Sequence, residues 1–198
     1  MLFFSVLLGT IIGFFIAIIL FITAKDSLKP NKFIYNIIDF IVNTIRSFPF
    51  IILMVASIPL TRSIVGTSLG EKAAIVPLTI AAAPFIARVI YNSMNEVDYS
   101  LIESGKAFGL SDLQIIFSVV LTESMPSIVS GLVLAIITIL GATAMAGMVG
   151  AGGLGSVAMI YGYQNFNDTI MYGIVAILIV IVQVIQWAGN IIYKKMNA

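Results

Sequence analysis

Cysteine and histidine are both missing from the 198 residues. Their absence rules out a disulfide framework, a thiolate nucleophile and any metal or proton-relay site built on imidazole. Charge is scarce as well: ten Lys/Arg and nine Asp/Glu make up 10% of the chain and leave a net charge of +1, where a soluble domain carries about 25% charged residues. There is no basic field for nucleic acid and no acidic solvating tail. No G-x-x-x-x-G-K-[ST] run occurs, so the usual cradle for ATP phosphates is lacking. No cofactor, metal site or catalytic residue is expected. What abounds is apolar side chain, 60% of the total, and that balance implies an all-α integral membrane protein.

Uncharged runs locate the spans. Residues 1–24 contain no ionisable side chain, and the 2–22 core is about 31 Å long as a helix, enough to cross the hydrocarbon layer. It is too long, and lacks the basic lead and small-residue cleavage site, for a signal peptide. With spans at 2–23, 36–61, 73–91, 126–149 and 169–189, the chain reads as one transmembrane domain, 1–198, with five helices. An odd number places the termini on opposite sides. Lys25, Lys29, Lys32, Arg88, Lys106, Lys194 and Lys195 fall on one side, and only Arg62 and Lys72 on the other. Seven against two places the N-terminus outside, and the C-terminus and the loop 92–123 in the cytoplasm. In the second span Asn36, Asp39, Asn43 and Arg46 share one helical face. Two readings fit: an interfacial start that turns near Pro49, or one continuous helix with its polar face packed inward. Arg46 then sits at the cytoplasmic edge or pairs with Asp39.

The loop carries two helix-start signatures, Ser100-Leu101-Ile102-Glu103 and Ser111-Asp112-Leu113-Gln114. Gly109 stands where a left-handed glycine would end the first helix. This predicts a short helix over 101–108 with Leu101, Gly105 and Phe108 on one face, a peg whose apolar side chains need a partner to cover them. Further on, Gly131, Ala135, Thr138 and Ala142 permit close helix packing. Thr138, Thr143, Met145 and Met148 also allow a face along a translocation path, in which a flexible thioether at Met145 plugs a narrow point. Gly150-Ala151-Gly152-Gly153-Leu154-Gly155 matches G-x-G-x-x-G but follows an apolar helix rather than a strand. Tyr161, Tyr163 and Phe166 read as an outer interfacial belt, or as a contact for an external partner.

Glu103-Ser104-Gly105-Lys106-Ala107-Phe108-Gly109, followed ten residues later by Val119-Val120-Leu121-Thr122, resembles the EAA---G---------I-LP signature of bacterial ATP-binding-cassette importer membrane subunits. The blocks 41–70, 73–90 and 145–155 (MAGMVGAGGLG) look like the permease subunit of the methionine importer family. The resemblance implies a type I permease fold. It implies two copies of the chain in the bacterial inner membrane, forming a pathway for methionine in its L- and D-forms. A cytoplasmic ATPase would dock at Glu103, Ser104, Gly105, Lys106, Ala107 and Gly109, and an extracytoplasmic lipoprotein would deliver the substrate. Thr138, Ala142, Met145 and Met148 are the expected pathway and gate residues. Ser104-Gly105 replaces the usual Ala-Ala, Thr122 takes the place of the proline, and the N-terminus starts late for the family. The alternatives are a permease for another amino acid or small peptide, and an autonomous channel or secondary transporter. The last two spans carry no ionisable residue at mid-membrane, which counts against ion coupling.

Overall fold

The computed structural model describes residues 1–25 and 27–196, without the side chains of Met148 and Val149. Every regular element among these residues is helical. Leu2–Thr23 forms α1, apolar on all sides. A short link leads to α2, Lys32–Ser47, whose first amides are capped by Asn31: its side-chain oxygen accepts from Phe33 N and Ile34 N at 3.2 and 3.1 Å. Phe48, extended because a proline follows, ends α2, and the chain turns by 106° into α3, Phe50–Ala56. Residues 36–61 are therefore not one continuous helix. α4, Ile58–Val65, stops at Gly66 in the left-handed region, and α5 runs from Glu71 to Asn95.

After the short α6 (Tyr99–Ala107), helix resumes at α7 (Asp112–Gln114), passes through wider π-helical turns at Ile115–Val120, and continues as α8 (Leu121–Ala146). The 35 residues Asp112–Ala146 make one rod. A second wide turn, Gly147–Ala151, leads to α9 (Gly153–Val157), a third spans Ala158–Gln164, and α10 (Asp168–Met196) closes the chain. By length and composition α1, α5, the 112–146 rod and α10 can each cross a membrane, and the bent pair α2–α3 supplies a fifth crossing.

α5 is the hub, with α1, α2 and α8 packed around it. Lipid tails are as apolar as leucine, so helices in a bilayer are held by close packing rather than by escape from water, and small residues let backbones approach. Gly9 and Gly13 of α1 lie against Ala82, Ala83 and Ala87 of α5; a Cβ on Gly13 would come within 2.7 Å of the Ala83 carbonyl oxygen. Leu20, Leu78, Ile86, Ile90 and Met94 fill the space beyond and are completely buried. Pro77 and Pro84 lie inside α5 and Pro126 inside α8, which helices flanked by other helices tolerate.

The polar stripe of α2 meets α5. Asp39 pairs with Arg88, whose guanidinium also donates to Asn43 Oδ1 at 3.0 Å, and Asn43 Nδ2 donates to Asp39 Oδ2 at 2.9 Å. The partner proposed for Asp39 within its own helix, Arg46, lies instead over the ring of Phe85, 5.8 Å from its centroid. Arg88 from the facing helix reaches Asp39 and Asn43 together through one guanidinium nitrogen, whereas Arg46 lies two helical turns from Asp39 along the same helix.

Candidate functional site

Two regions at opposite ends of the 112–146 rod hold the residues singled out from the sequence. At one end is α6. Its N-cap is Asp98 rather than Ser100: Ser100 N donates to Asp98 Oδ1 at 2.9 Å, and the helix starts at Tyr99. The Ser100-to-Glu103 box is thus not formed. A carboxylate two residues before the first free amide is the stronger acceptor, and those bonds from Ser100 hold the Asp98 carboxyl below its usual range. The second box forms as read, with Ser111 N donating to Gln114 Oε1 at 2.9 Å and Gln114 N to Ser111 Oγ at 3.4 Å.

The far end of α6 closes as a Schellman motif. Gly109 has φ +78°, its amide donates to Lys106 O, and the Leu110 amide donates to Gly105 O, both at 3.0 Å. Only a residue at ease in the left-handed region lets both bonds form. Glu103, Ser104, Lys106, Ala107 and Gly109 are exposed. Gly105 is not on that face. It is buried with Ile102, and a Cβ there would lie 3.3 Å from Ile115 Cγ1. The glycine thus lets α6 sit close on the π-helical turns rather than contributing to the outer surface. Leu101, Phe108 and Leu113 are the exposed large apolar side chains of this segment, with Phe108 86% exposed. Leu113 is legible in the sequence only as a member of the second capping box.

At the other end, Leu134, Thr138, Gly141 and Met145 form an exposed line on α8 with spacings of four, three and four. The Thr138 hydroxyl donates back to Leu134 O at 2.9 Å. Met145 is 45% exposed, so it is not core filler within one chain. Ala142 is half-buried beside the line, and the Met148 side chain lies outside the described residues. Gly131 and Ala135 point the other way; a Cβ on Gly131 would come 2.3 Å from Val89 Cγ1 of α5. The run of small residues therefore divides, with Gly131 and Ala135 used for packing and Thr138 left on the open face.

Beyond Met145 the glycine-rich segment folds back tightly. The Ser156 hydroxyl donates to Gly147 O, and Gly70 N donates to Gly150 O at 3.0 Å, tying this turn to the start of α5. No strand precedes it among the described residues, so the G-x-G-x-x-G spacing here serves a turn between helices. Tyr161, Tyr163 and Phe166 are exposed nearby.

The family model described as "binding-protein-dependent transport system inner membrane component" matches residues 3–198. The chain is 43% identical over 189 residues to the probable D-methionine transport system permease protein MetI of Vibrio cholerae, covering 96% of this chain and 84% of that one. It is 41% identical over 174 residues to the methionine import system permease protein MetP of Bacillus subtilis, covering 88% and 78%. Its fold superposes with a TM-score of 0.96, at 43% identity, on a chain of the MetNI methionine ABC transporter solved in inward-facing conformations, covering 98% of this chain and 90% of that one. A chain of an amino acid ABC transporter with 19% identity shares the fold at a TM-score of 0.79.

Proposed function

Because this chain belongs to the family of binding-protein-dependent transport system inner membrane components, we propose that two copies of it line a gated path whose states are driven by a separate ATPase. It is a multi-pass inner-membrane permease subunit for methionine import. The observation that carries this reading is the likeness to the methionine transporter over 98% of the chain. Such a subunit needs no catalytic group of its own, and hydrolysis is assigned to the partner. The docking surface is Glu103, Ser104, Lys106, Ala107 and Gly109, with Phe108 as its apolar centre and Gly105 supporting it from beneath. A largely exposed phenylalanine at the end of a short capped helix is costly in water and useful in a partner's cleft. An extracytoplasmic lipoprotein delivers L- or D-methionine to the opposite side, where Tyr161, Tyr163 and Phe166 stand exposed. The N-terminus lies outside and the C-terminus in the cytoplasm, a reading that the distribution of lysine and arginine supports.

Purification of the tagged chain from membranes in mild detergent is expected to bring with it an ATP-binding-cassette ATPase. The complex in vesicles, given ATP and the delivery protein, takes up labelled methionine. Uptake of another amino acid in preference to methionine would move the substrate assignment, and transport by the chain without any ATPase would overturn the reading.

Met145, with Thr138 and Ala142 on the same rod and Met148 in the turn that follows it, is assigned to the constriction. Met145→Ala is expected to leave assembly intact at a cost within about 0.5 kcal/mol, as at an exposed position, and to raise ATP hydrolysis in the absence of delivery protein while methionine moved per ATP falls severalfold. Truncation of a buried methionine would instead cost about 2–5 kcal/mol. Loss of complex with unchanged coupling in the remainder would return Met145 to a packing role.

A further inference from the structure

Where the link after α1 returns to α2, the chain forms an open cavity of about 840 Å³, within the range of sites that hold small ligands. Its polar side is formed by Lys25 and Ser27 of the link, Lys32 and Tyr35 at the start of α2, and Tyr91 and Asn95 at the end of α5. Its floor is apolar, with Phe21, Met94 and Ile102. Tyr35 Oη and Tyr91 Oη are 3.1 Å apart, and Asn95 Nδ2 donates to Tyr91 Oη at 3.3 Å. The Ser27 hydroxyl is buried and has no hydrogen-bond partner among the described residues.

The charges around the cavity are unequal. Lys29 is committed to Asp112 at 3.2 Å, whereas among the described residues no carboxylate lies within ion-pair distance of Lys25 or Lys32. The nearby acids are also engaged: Glu96 accepts from the Ser127 hydroxyl at 2.9 Å, and Asp98 from the Ser100 amide. Asp26 lies outside the described residues. Alongside, α2 presents Phe33, Ile37 and Phe40 outward, the apolar face of a helix suited to the boundary between headgroups and acyl chains.

We propose that this cavity holds the headgroup of an anionic phospholipid of the inner leaflet, its phosphate between the Lys25 and Lys32 ammonium groups and within reach of the Ser27 and tyrosine hydroxyls, its chains along α2. Basic pockets between spanning helices at the cytoplasmic boundary suit such headgroups. Tyr99 and Ile102 of α6 also line the cavity, so the bound lipid braces the docking helix from behind and strengthens coupling to the ATPase. The regulatory half of this inference rests on the permease reading, and the choice of the inner leaflet on its orientation; retention of an anionic headgroup by this cavity rests on neither.

The test uses the complete transporter in discs of phosphatidylcholine with or without phosphatidylglycerol. Native mass spectrometry after extraction reads retained phosphatidylglycerol whether or not transport occurs. Lys25→Gln/Lys32→Gln is expected to weaken retention about 30-fold, at about fivefold per lysine, while Lys25→Arg/Lys32→Arg and Lys194→Gln/Lys195→Gln retain it. Equal retention by all four proteins would overturn the site. In vesicles, phosphatidylglycerol is expected to raise methionine uptake by the native protein severalfold and to leave the glutamine variant at its phosphatidylcholine rate. Uptake by the native protein with no response to phosphatidylglycerol would overturn the regulatory role, whereas no uptake in any lipid would be a failure of the permease reading. Inorganic phosphate at millimolar concentration in phosphatidylcholine vesicles is expected to change nothing; stimulation matching that by phosphatidylglycerol would overturn the lipid as source in favour of a soluble anion.

Discussion

Gly109→Val is expected to cut ATP-driven uptake by up to about 5–30-fold while leaving the chain inserted and assembled. A side chain at Gly109 meets nothing within 4 Å, so no packing is lost and the cost lies in the backbone. A left-handed conformation costs a non-glycine residue about 1–2 kcal/mol, and a β-branched one resists it most. Relief of that strain breaks the bonds from Gly109 N to Lys106 O and from Leu110 N to Gly105 O, unwinds the last turn of α6 and turns Phe108 away from the partner. Binding of the ATPase is expected to weaken about 5–30-fold, the same free energy read as an equilibrium. Gly109→Asn, which tolerates the left-handed region, should retain uptake. Glu103→Lys reverses the charge of the exposed face without altering the backbone and should also release the ATPase. If Gly109→Val and Glu103→Lys proteins retain the ATPase in pull-down and transport at the normal rate, α6 is not the coupling element.

The second large effect is expected where α9 folds back on the end of α8. Gly155→Ala would place a Cβ 2.2 Å from the Ala144 carbonyl oxygen, and Gly147 is hemmed in from the other side, with its own added Cβ 2.5 Å from Ser156 N. Both obstacles are backbone, so no side chain can rotate away. Over-packing of a close site costs about 1–3 kcal/mol, and more where the backbone must move; Gly155→Ala should reach or exceed the upper figure and lower the yield of folded protein. Gly173→Ala on α10, with nothing within 4 Å of the added carbon, is expected to be neutral or to stabilise by up to about 1 kcal/mol through helix propensity. Thermal unfolding in detergent, read side by side, separates the two. A Gly155→Ala protein as stable as Gly173→Ala would show that the turn opens readily.

Which of these features can be read from the chain follows a physical pattern. The all-helical membrane fold was legible because twenty apolar residues without a charge have few alternatives. The Ser111 box and the left-handed Gly109 were legible because capping is decided within four or five residues. Asp98 was missed as the cap of α6 because two acceptors, Asp98 and Ser100, compete for the same helix start and only geometry ranks them. Gly105 was placed on the outer face because a helical wheel has no knowledge of Ile115, ten residues on, which decides which side is covered. Arg88 as the partner of Asp39 required knowing that α2 lies along α5, and nothing in the spacing of either helix reports that. The two glycines that meet across the 147–155 turn are visible as glycines in the sequence, but their shared contact is a tertiary fact.

The continuity of residues 112–146 makes this segment a lever with equal arms. At 1.5 Å per residue the rod is about 52 Å from end to end, with the α6 seat, through Ile115, against one end and Met145 at the other. If ATPase closure tilts it by about 10° around its middle, each end sweeps about 4.5 Å in opposite directions, comparable to one helical turn. That displacement is enough to carry a methionine side chain into or out of a narrow passage. On the proposed orientation, a push at the α6 end of such a rod would arrive at the Met145 end with its direction reversed, without any signal having to pass from side chain to side chain through the bilayer.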